Sequence, residues 1–321
     1  MYGKIIGCGS YLPEKILTNK DLEKMVETSD EWITERTGIK QRHIIDAKEE
    51  SASRMSVFAA KKAIEDAGID SDEIDLIIVA TTTSNMIFPS IASMVQKEIG
   101  NKKANCFDMN SACPGWLQAF NVAQAMMNSN MVKTALVIGV EALSNFMDWE
   151  DRGTCILFGD GAGACVVRAA EDAVYEAVMH ADGSRGECLS CESKMQRRDD
   201  AEFAEATKFF MNGKDVFRFA VSSVPKVITE VLEKESCVAS DVDLFVLHQA
   251  NQRIIESVSK RLDVEIEKFP MNIARTGNTS AASIPILLDE LKRDGKLKEG
   301  MKLVLSSFGG GLTWGAARIN W

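Results

Sequence analysis

Short apolar runs alternate along the chain with longer stretches of helical periodicity. Continuous apolar runs rich in β-branched residues predict buried strands at residues 76–80, 135–139, 244–247 and 303–305. Segments with the spacing of amphipathic helices lie at residues 52–67, 89–99, 114–129, 221–234, 250–262 and 281–293. Buried strands that alternate with helices are typical of α/β sheets covered on both faces.

The first forty residues add a strand and two short helices to this pattern. The chain opens with a predicted strand, and a short helix follows the capping residues Thr18 and Asn19. A second helix begins near Ser29 and ends at Gly38, since serine is a preferred N-cap and glycine a preferred C-terminal stop.

A faint internal repeat runs through the chain. Residues 74–79 align with residues 242–247, and each of these predicted strands is followed by a helix of similar character. Further matches join Met109-Asn110 to Met271-Asn272, Cys113 to Asn278, and the glycine-rich run 159–164 to 309–316. The spacing indicates two duplicated halves of roughly 150 residues, packed about a pseudo-twofold axis that brings Cys113 and Asn278 near the centre.

The segment from residue 180 to 215 fits neither half, because it is polar, charged and rich in turns. We therefore predict an N-terminal half at residues 1–172, an insertion or linker at 173–215 and a C-terminal half at 216–321. Part of the insertion is expected to cap a cleft.

Composition and charge exclude several classes of protein. The chain has 321 residues, of which 45% are hydrophobic, and its net charge is −10. So acidic a protein is a poor general nucleic-acid binder, because neutralising phosphates needs clustered lysine and arginine. No apolar run reaches the length of a membrane helix, and no signal peptide is evident at the N-terminus. Eight cysteines in so long a chain do not indicate a disulfide scaffold, so we expect a cytoplasmic protein.

Cys113 is the first candidate for chemistry. Pro114 suits the first turn of a helix, which places Cys113 at or next to the N-cap. The positive end of the helix favours a thiolate and lowers the thiol pKa, as a nucleophile requires. The alternative is a buried structural cysteine.

His248 and Asn278 are the other two candidates. His248 follows an apolar strand and precedes a helix, a common position for catalytic groups, although a core histidine fits the same pattern. Asn278 fits either a helix N-cap or an amide that donates to a developing oxyanion. The other two histidines, His43 and His180, lie in polar surroundings, and three scattered histidines make a zinc site improbable.

Three further motifs have simpler interpretations. The glycine-rich turn at 308–315 leaves backbone N–H groups open to a substrate. The run 159–163 lacks dinucleotide-binding spacing and continues as a strand, so it indicates tight strand packing. Cys188 and Cys191 form a CxxC pair without a second ligand pair, which we interpret as incidental.

Several motifs in the same order closely resemble the β-ketoacyl-[acyl carrier protein] synthase III family of the thiolase-like superfamily. They are Thr28-Ser29-Asp30-Glu31-Trp32-Ile33, Arg36-Thr37-Gly38-Ile39, Ala112-Cys113-Pro114-Gly115, Phe158-Gly159-Asp160-Gly161-Ala162, His248-Gln249-Ala250-Asn251, Gly277-Asn278-Thr279-Ser280-Ala281-Ala282 and Phe308-Gly309-Gly310-Gly311. The resemblance covers essentially the whole chain. It implies a five-layered αβαβα fold, a homodimer, and a catalytic set of Cys113, His248 and Asn278.

The resemblance also implies a reaction. Cys113 takes an acyl group from acyl-CoA, and malonyl acyl carrier protein then loses CO₂ and attacks the acyl-cysteine in a Claisen condensation. The backbone N–H groups of Cys113 and Gly310 form the oxyanion hole, while His248 and Asn278 stabilise the enolate. No metal or redox cofactor is implied, since the CoA thioester is a substrate.

Substrate and partner contacts follow from the same resemblance. Trp32 and Arg152 are expected to sandwich the adenine of CoA. The remaining contacts to CoA and its pantetheine are expected at Thr28, Arg36, Thr37, Met211, Gly213, Ala250, Asn251 and Arg253. Arg218, Arg253 and Lys260 are candidates for docking the acidic carrier protein, and Phe88 for reaching the acyl pocket of the partner subunit.

Three alternatives stay open at the level of sequence. One is a plain CoA-binding module without catalysis, which leaves Cys113 and His248 unexplained. Relatives with the same fold and triad transfer acyl groups to other acceptors in secondary metabolism. A redox or metal-binding protein centred on Cys188 and Cys191 is the alternative from another class. The acyl primer is not fixed by the sequence, since primers that differ by one or two methylenes are separated by only about 1–3 kcal/mol in a hydrophobic pocket.

Overall fold

A computed structural model of the chain describes residues 1–191 and 209–321. The elements in chain order are β1 (Gly3–Tyr11), β2 (Ile16–Thr18), α1 (Asn19–Leu22), α2 (Asp30–Thr37), β3 (Gln41–His43), α3 (Ala52–Ala67), β4 (Leu76–Ala80), α4 (Ile91–Glu98), β5 (Asn105–Met109), α5 (Gly115–Asn128), β6 (Thr134–Glu141), β7 (Gly161–Ala169), β8 (Tyr175–Ala181), β9 (Leu189–Cys191), β10 (Phe209–Met211), α6 (Gly213–Glu233), β11 (Leu244–Leu247), α7 (Gln252–Leu262), α8 (Ile273–Thr276), α9 (Ser283–Arg293), β12 (Lys302–Gly309) and β13 (Thr313–Asn320).

Two mixed sheets form the frame of the molecule. The first has the strand order β1-β7-β6-β4-β5 and the second the order β11-β12-β13-β8. In the first sheet β4 is parallel to β5 and β6, while β7 is antiparallel to β6 and β1. In the second, β11 is parallel to β12, and β13 is antiparallel to β12 and β8. The two sheets therefore share the same strand order and the same pattern of parallel and antiparallel pairs. The one difference is that the second sheet has no strand equivalent to β5 in the described residues.

This correspondence confirms the duplication that the sequence predicts. Strand β1 corresponds to β8, β4 to β11, β6 to β12 and β7 to β13, and in each half the helices alternate with the strands in the same way. The middle of the molecule is formed by α5 and α9, one helix from each half. A pseudo-twofold relation of this kind places the starts of α5 and α9 side by side.

The helices complete five layers in the order αβαβα. Side chains of α5 and α9 pack in one core with residues from both sheets, such as Val137 and Leu305. Helices α3 and α4 cover the outer face of the first sheet, and α6 and α7 cover the outer face of the second. Because both sheets are buried on both faces, their central strands are apolar at nearly every position.

Most predicted elements agree with the structure to within two residues. Helix α2 is capped by the Ser29 side chain and ends at Gly38, whose φ of 80° lies in the left-handed region. A side chain at Gly38 would collide with Gln252 at the start of α7, so this close approach also requires glycine. The largest difference is α6, which begins at Gly213 instead of residue 221, because Asn212 caps a charged first turn.

The predicted insertion at residues 173–215 is only partly correct. Residues Tyr175–Ala181 form β8, an edge strand of the second sheet paired with β13, so this part belongs to the C-terminal half. Only Tyr175 and Val178 of β8 are buried, three residues apart, so the sequence shows no strand periodicity here. The short strands β9 and β10 pair with each other, and residues 192–208 lie outside the described residues.

Within the part of the chain that the structure describes, no helix is both long and apolar enough to span a bilayer.

Candidate active site

Cys113, His248 and Asn278 line one cavity of about 640 Å³. Cys113 lies in the turn that joins β5 to α5, and His248 directly follows β11. Asn278 lies in the loop between α8 and α9. The duplication therefore explains the convergence, since the chain segments before the two central helices face each other across the same space.

The backbone around Cys113 is tightly constrained. Ala112 has a φ of 46°, a conformation that non-glycine residues rarely adopt, and this turn directs the next residue into the cavity. Gly309 packs directly on Cys113, since a β-carbon at Gly309 would lie 2.7 Å from that of Cys113. The hydroxyl of Ser307 donates to the Cys113 carbonyl at 3.1 Å. The thiol is therefore held in a fixed position against the β12–β13 turn.

The expected lowering of the Cys113 pKa is wrong. Burial raises the pKa of the Cys113 thiol to about 11, and the negative charge of Glu141 adds to the shift. Helix α5 begins at Gly115 with Pro114 as N-cap, so Cys113 lies just outside the helix. Desolvation of a thiolate here outweighs the hydrogen bond from Ser280, which acts in the opposite direction.

His248 is buried, and its Nδ1 lies 2.7 Å from the Ser283 hydroxyl. Burial lowers the pKa of His248 to about 3, so the ring is neutral at physiological pH. When Ser283 donates to Nδ1, the proton resides on Nε2, and a neutral imidazole can then donate a hydrogen bond to a ligand.

Asn278 is oriented by its own loop. Its Oδ1 accepts from the Ser280 N–H at 2.9 Å, and this leaves the Nδ2 hydrogens available to a ligand. The interpretation of Asn278 as a helix N-cap is wrong, because α9 begins at Ser283 and has Ala282 as its N-cap. The backbone of Asn278 bonds to Leu157 and Gly159, which fixes the loop against the neighbouring segment.

The mouth of the cavity is basic. Trp32 and Arg36 of α2 line it, and the guanidinium groups of Arg36 and Arg152 lie 4.7 and 4.9 Å from the Trp32 ring centroid. Arg152 is in direct contact with Trp32, so an aromatic ring can enter between them only when Arg152 moves away. Its Nη1 meanwhile donates to the Glu27 carbonyl.

Most of the predicted contact residues border this cavity. Those that line it are Trp32, Arg36, Thr37, Met211, Gly213, Arg218, Ala250, Asn251 and Arg253. Thr28, Phe88, Arg152, Lys260 and Gly310 do not belong to its lining. Of these, Arg152 contacts Trp32, and the buried hydroxyl oxygen of Thr28 has no hydrogen-bond partner among the described residues.

The remaining candidates lie outside the cavity. His43 Nδ1 contacts the Pro13 carbonyl, and His180 pairs with Glu230. Cys188 precedes the short strand β9, Cys191 is its last residue, and neither lines the cavity. Residues 1–191 and 209–321 contain no group of three or more histidine, cysteine, aspartate or glutamate side chains that could hold a metal ion.

Sequence reasoning missed several polar residues next to the triad. Ser283 contacts His248, Ser280 contacts Cys113, and the fully buried carboxyl of Glu141 lies behind Ser280. A signal for Glu141 was present, because it is a charged residue at the end of an otherwise apolar strand. The serines had no such signal, since their loop position alone does not show which side chain they meet.

Comparisons with known proteins point to one enzyme family. Family models described as 3-oxoacyl-[acyl-carrier-protein (ACP)] synthase III match residues 107–183 and, for its C-terminal part, residues 232–321. A "Beta-ketoacyl-[acyl-carrier-protein] synthase III" of Clostridium acetobutylicum is 46% identical over 99% of this chain and 98% of that relative.

Solved structures give the same result. The 3-oxoacyl-[acyl-carrier-protein] synthase III of Aquifex aeolicus is 45% identical, with a TM-score of 0.93 over 99% of this chain and 100% of that one. The priming β-ketosynthase of the R1128 polyketide pathway is 34% identical, with a TM-score of 0.95 over 99% of this chain and 96% of that one.

Proposed function

The chain belongs to the β-ketoacyl-[acyl-carrier-protein] synthase III family, condensing enzymes of the acyltransferase type, and from this we propose that Cys113, His248 and Asn278 are its catalytic residues. The observation that carries the proposal is their convergence on one cavity with complementary properties. A nucleophile, a neutral ring that can donate, and an oriented amide meet in one cavity. This set suits acyl transfer followed by decarboxylative condensation.

In the first half-reaction the Cys113 sulfur attacks the carbonyl carbon of acyl-CoA, and the CoA thiolate leaves. Negative charge forms on the carbonyl oxygen, and the backbone N–H groups of Cys113 and Gly310 are the proposed donors. The contact between Gly309 and Cys113 supports this pairing, because it holds the two backbone segments side by side.

In the second half-reaction malonyl carrier protein loses CO₂, and the enolate carbon attacks the acyl-cysteine. Charge builds on the thioester oxygen of the malonyl group, where Nε2–H of His248 and Nδ2 of Asn278 donate. The neutral state of His248 suits this role, because donation to an enolate needs a hydrogen bond and not a full positive charge.

The protonation state of His248 gives a prediction for pH. Because burial holds the pKa of His248 at about 3, the ring stays neutral as the pH falls from 7 to 5. We expect the rate of CO₂ release from malonyl carrier protein by a Cys113→Ala variant to show no midpoint near pH 6.5 in this range. Stopped-flow or radiolabel assays measure it, and a titration with an ordinary imidazole midpoint would contradict the neutral buried ring.

Acyl-CoA is proposed to enter along the basic mouth, with its adenine stacked on Trp32. The protein carries a net charge of −10, so the local arginines are needed to attract a polyanionic ligand. The proposed CoA and pantetheine contacts are Thr28, Trp32, Arg36, Thr37, Arg152, Met211, Gly213, Ala250, Asn251 and Arg253.

Substitution of Trp32 tests this path. We expect Trp32→Ala to raise the Kd for CoA by about 5- to 150-fold, since stacking of a base on an aromatic ring contributes about 1–3 kcal/mol. Trp32→Phe, which keeps a ring, should fall between wild type and alanine. Calorimetric titration measures both, and an unchanged Kd in Trp32→Ala would exclude adenine stacking at this residue.

The carrier protein is proposed to dock beside the same mouth. Arg218 and Arg253 line the opening, and Lys260 lies two turns beyond Arg253 on the same face of α7, about 10 Å away. These exposed cations complement an acidic partner.

We also propose a homodimer in which Phe88 contacts the acyl pocket of the partner subunit. The side chains of Ile87 and Phe88 are 72% and 79% exposed, which is unusual for large apolar residues. Strand β5, at the edge of the first sheet, pairs only with β4 among the described residues. An apolar loop near an open sheet edge is suited to contact with a second copy.

The decisive experiment is intact mass spectrometry after incubation with a panel of acyl-CoAs, followed by malonyl carrier protein. An acyl adduct that disappears as 3-oxoacyl carrier protein and CO₂ form would support the proposal, and the preferred chain length would identify the primer. No adduct from any acyl-CoA would exclude the first half-reaction.

A second candidate keeps the acylation step and changes the acceptor. The structural similarity to the R1128 priming β-ketosynthase supports this second candidate, because that protein belongs to a polyketide pathway. An acyl-enzyme that is stable to malonyl carrier protein and is discharged by an alcohol or an amine would support this candidate.

A further inference from the structure

Deprotonation of Cys113 needs a proton acceptor that the proposed catalytic residues do not supply. Burial raises the pKa of the thiol, so only a small fraction of Cys113 is thiolate near neutral pH. His248 is a poor base, because burial strongly favours its neutral form. Among the described residues, the side-chain hydrogen bond to Cys113 Sγ comes from the Ser280 hydroxyl at 3.4 Å.

Ser280 connects Cys113 to a buried carboxyl. Its hydroxyl lies 3.5 Å from Oε1 of Glu141, a residue with no solvent exposure at the end of β6. Ser280 has a φ of 50°, so the turn holds its side chain between the two groups at a conformational cost. A hydroxyl in this position can accept a proton from one neighbour and donate its own to the other.

The two oxygens of Glu141 have different surroundings. Oε2 accepts from the hydroxyls of Thr82 and Thr83 at 2.9 and 2.8 Å, and the Thr82 N–H is shared between both oxygens at 3.2 Å. Oε1 has only that shared N–H and the distant Ser280 hydroxyl. The oxygen that faces Cys113 is therefore the one with the weaker hydrogen bonding and the greater affinity for a proton.

Among the described residues, the side chains that bond this carboxyl are neutral, and Ser280 connects it to the thiol of Cys113. The loop after β4 presents Thr82 and Thr83, the turn before α9 presents Ser280, and β7 presents Gly161 opposite Glu141. Helix α3 packs on β6 through apolar side chains. Burial raises the pKa of Glu141 to about 7, and the charge of Glu141 in turn raises the pKa of Cys113, so the pair disfavours two negative charges.

We propose that Ser280 and Glu141 form a proton relay that takes the thiol proton of Cys113 during acylation and returns it during condensation. The proton passes from Sγ to the Ser280 oxygen, while the Ser280 proton passes to Oε1 of Glu141. The thiolate then forms the new C–S bond to the acyl carbon, and the CoA thiolate leaves and is protonated by solvent. Glu141 stays neutral while Cys113 is acylated.

The second half-reaction closes the proton balance. When the enolate carbon attacks the acyl-cysteine, the bond to Sγ breaks and a thiolate leaves. This thiolate recovers its proton from Glu141 through Ser280. Over the cycle one solvent proton is consumed, and it appears on CoA. The relay deepens the proposed function and rests on acylation of Cys113. Glu141 acts through Ser280 and does not touch the substrate, so we call it a positioning residue.

The relay predicts the pH dependence of Cys113 reactivity. When thiol and carboxyl share one proton, the fraction of the thiolate–carboxylic acid form is constant between their two apparent pKa values. Alkylation of wild-type Cys113 by iodoacetamide should therefore level off above about pH 7, until at higher pH the form with both groups ionised supplies more thiolate. In Glu141→Gln no such form exists, so the rate should rise about tenfold per pH unit, and acylation at pH 7 should fall by about 10²–10⁴-fold, the usual contribution of general-base catalysis.

The experiment measures alkylation and acylation of Cys113 by mass spectrometry from pH 6 to 10. Asp160→Asn is the matched control, because Asp160 is an equally buried acid that bonds Ser144 and Ile45 instead of Ser280, and it should keep the plateau. Ser280→Ala removes the bridge while it keeps the carboxyl, so it should keep the plateau but lower the rate of acylation at pH 7, and this test stands even if Glu141→Gln does not fold.

The outcomes separate the relay from the proposed function. Wild-type acylation rates at pH 7 in both Glu141→Gln and Ser280→Ala would overturn the relay alone. Wild-type protein that is alkylated but never acylated would instead overturn the proposed function. Loss of the plateau in Glu141→Gln, and slower acylation in whichever of the two variants folds, with Asp160→Asn unaffected, is the result expected for the relay.

Discussion

A Cys113→Ala variant should take up no acyl group from any acyl-CoA and should lose condensation activity by at least about 10³-fold. The reason is that removal of the sulfur removes the only atom proposed to form the acyl-enzyme bond. Release of CO₂ from malonyl carrier protein should persist, because His248 and Asn278 remain in the cavity. Intact mass measures the first effect, and product analysis with labelled malonyl carrier protein measures the other two.

Cys237→Ala provides the matched control for this variant. Cys237 is a partly exposed free cysteine that does not line the cavity. Its replacement should leave the acyl adduct in place. An adduct on Cys113→Ala would show that another nucleophile accepts the acyl group, and the proposed mechanism would then be wrong in its first step.

An Asn278→Ala variant should show the complementary pattern. We expect CO₂ release and condensation to fall by about 10²–10³-fold, the usual cost of removing one donor to a developing oxyanion. Acylation of Cys113 should remain, because the acylation oxyanion is assigned to backbone N–H groups. Loss of the bond from the Ser280 N–H to Asn278 Oδ1 also loosens the turn, so the acylation rate is measured in the same samples.

The control for Asn278 is Asn145→Ala, an exposed asparagine outside the cavity lining. It should behave as wild type in both half-reactions. Wild-type rates of CO₂ release in Asn278→Ala would exclude the amide from enolate stabilisation. Equal losses in acylation and decarboxylation would assign Asn278 to the shape of the site instead of to one charged intermediate.

Periodicity and local chemistry in the sequence determined the elements of the fold. The runs at 76–80 and 244–247 form strands with the predicted bounds, because strands buried on both faces must be apolar at nearly every position. The duplication was also visible, since both halves repeat the same order of strands and helices. Strand β8 escaped detection, because it is an edge strand with several exposed residues.

Motifs in the sequence identified the candidate residues, but they did not give the pKa values of those residues. Sequence placed Cys113 beside a helix start and suggested a lowered thiol pKa, whereas the folded site raises it. The helix effect is local and can be read from neighbouring residues. Desolvation depends on everything that packs around the sulfur, including Gly309 and Ser307 from the other half of the chain.

By itself the sequence therefore determined which segments are buried, where helices begin, and which residues match the family's catalytic motifs. The tertiary structure alone decided which polar groups meet. Glu141, Ser280 and Cys113 lie far apart in the chain and become neighbours only when the two halves pack against each other. Charge, burial and hydrogen bonding at such a site arise from contacts across the fold, so no local pattern can specify them.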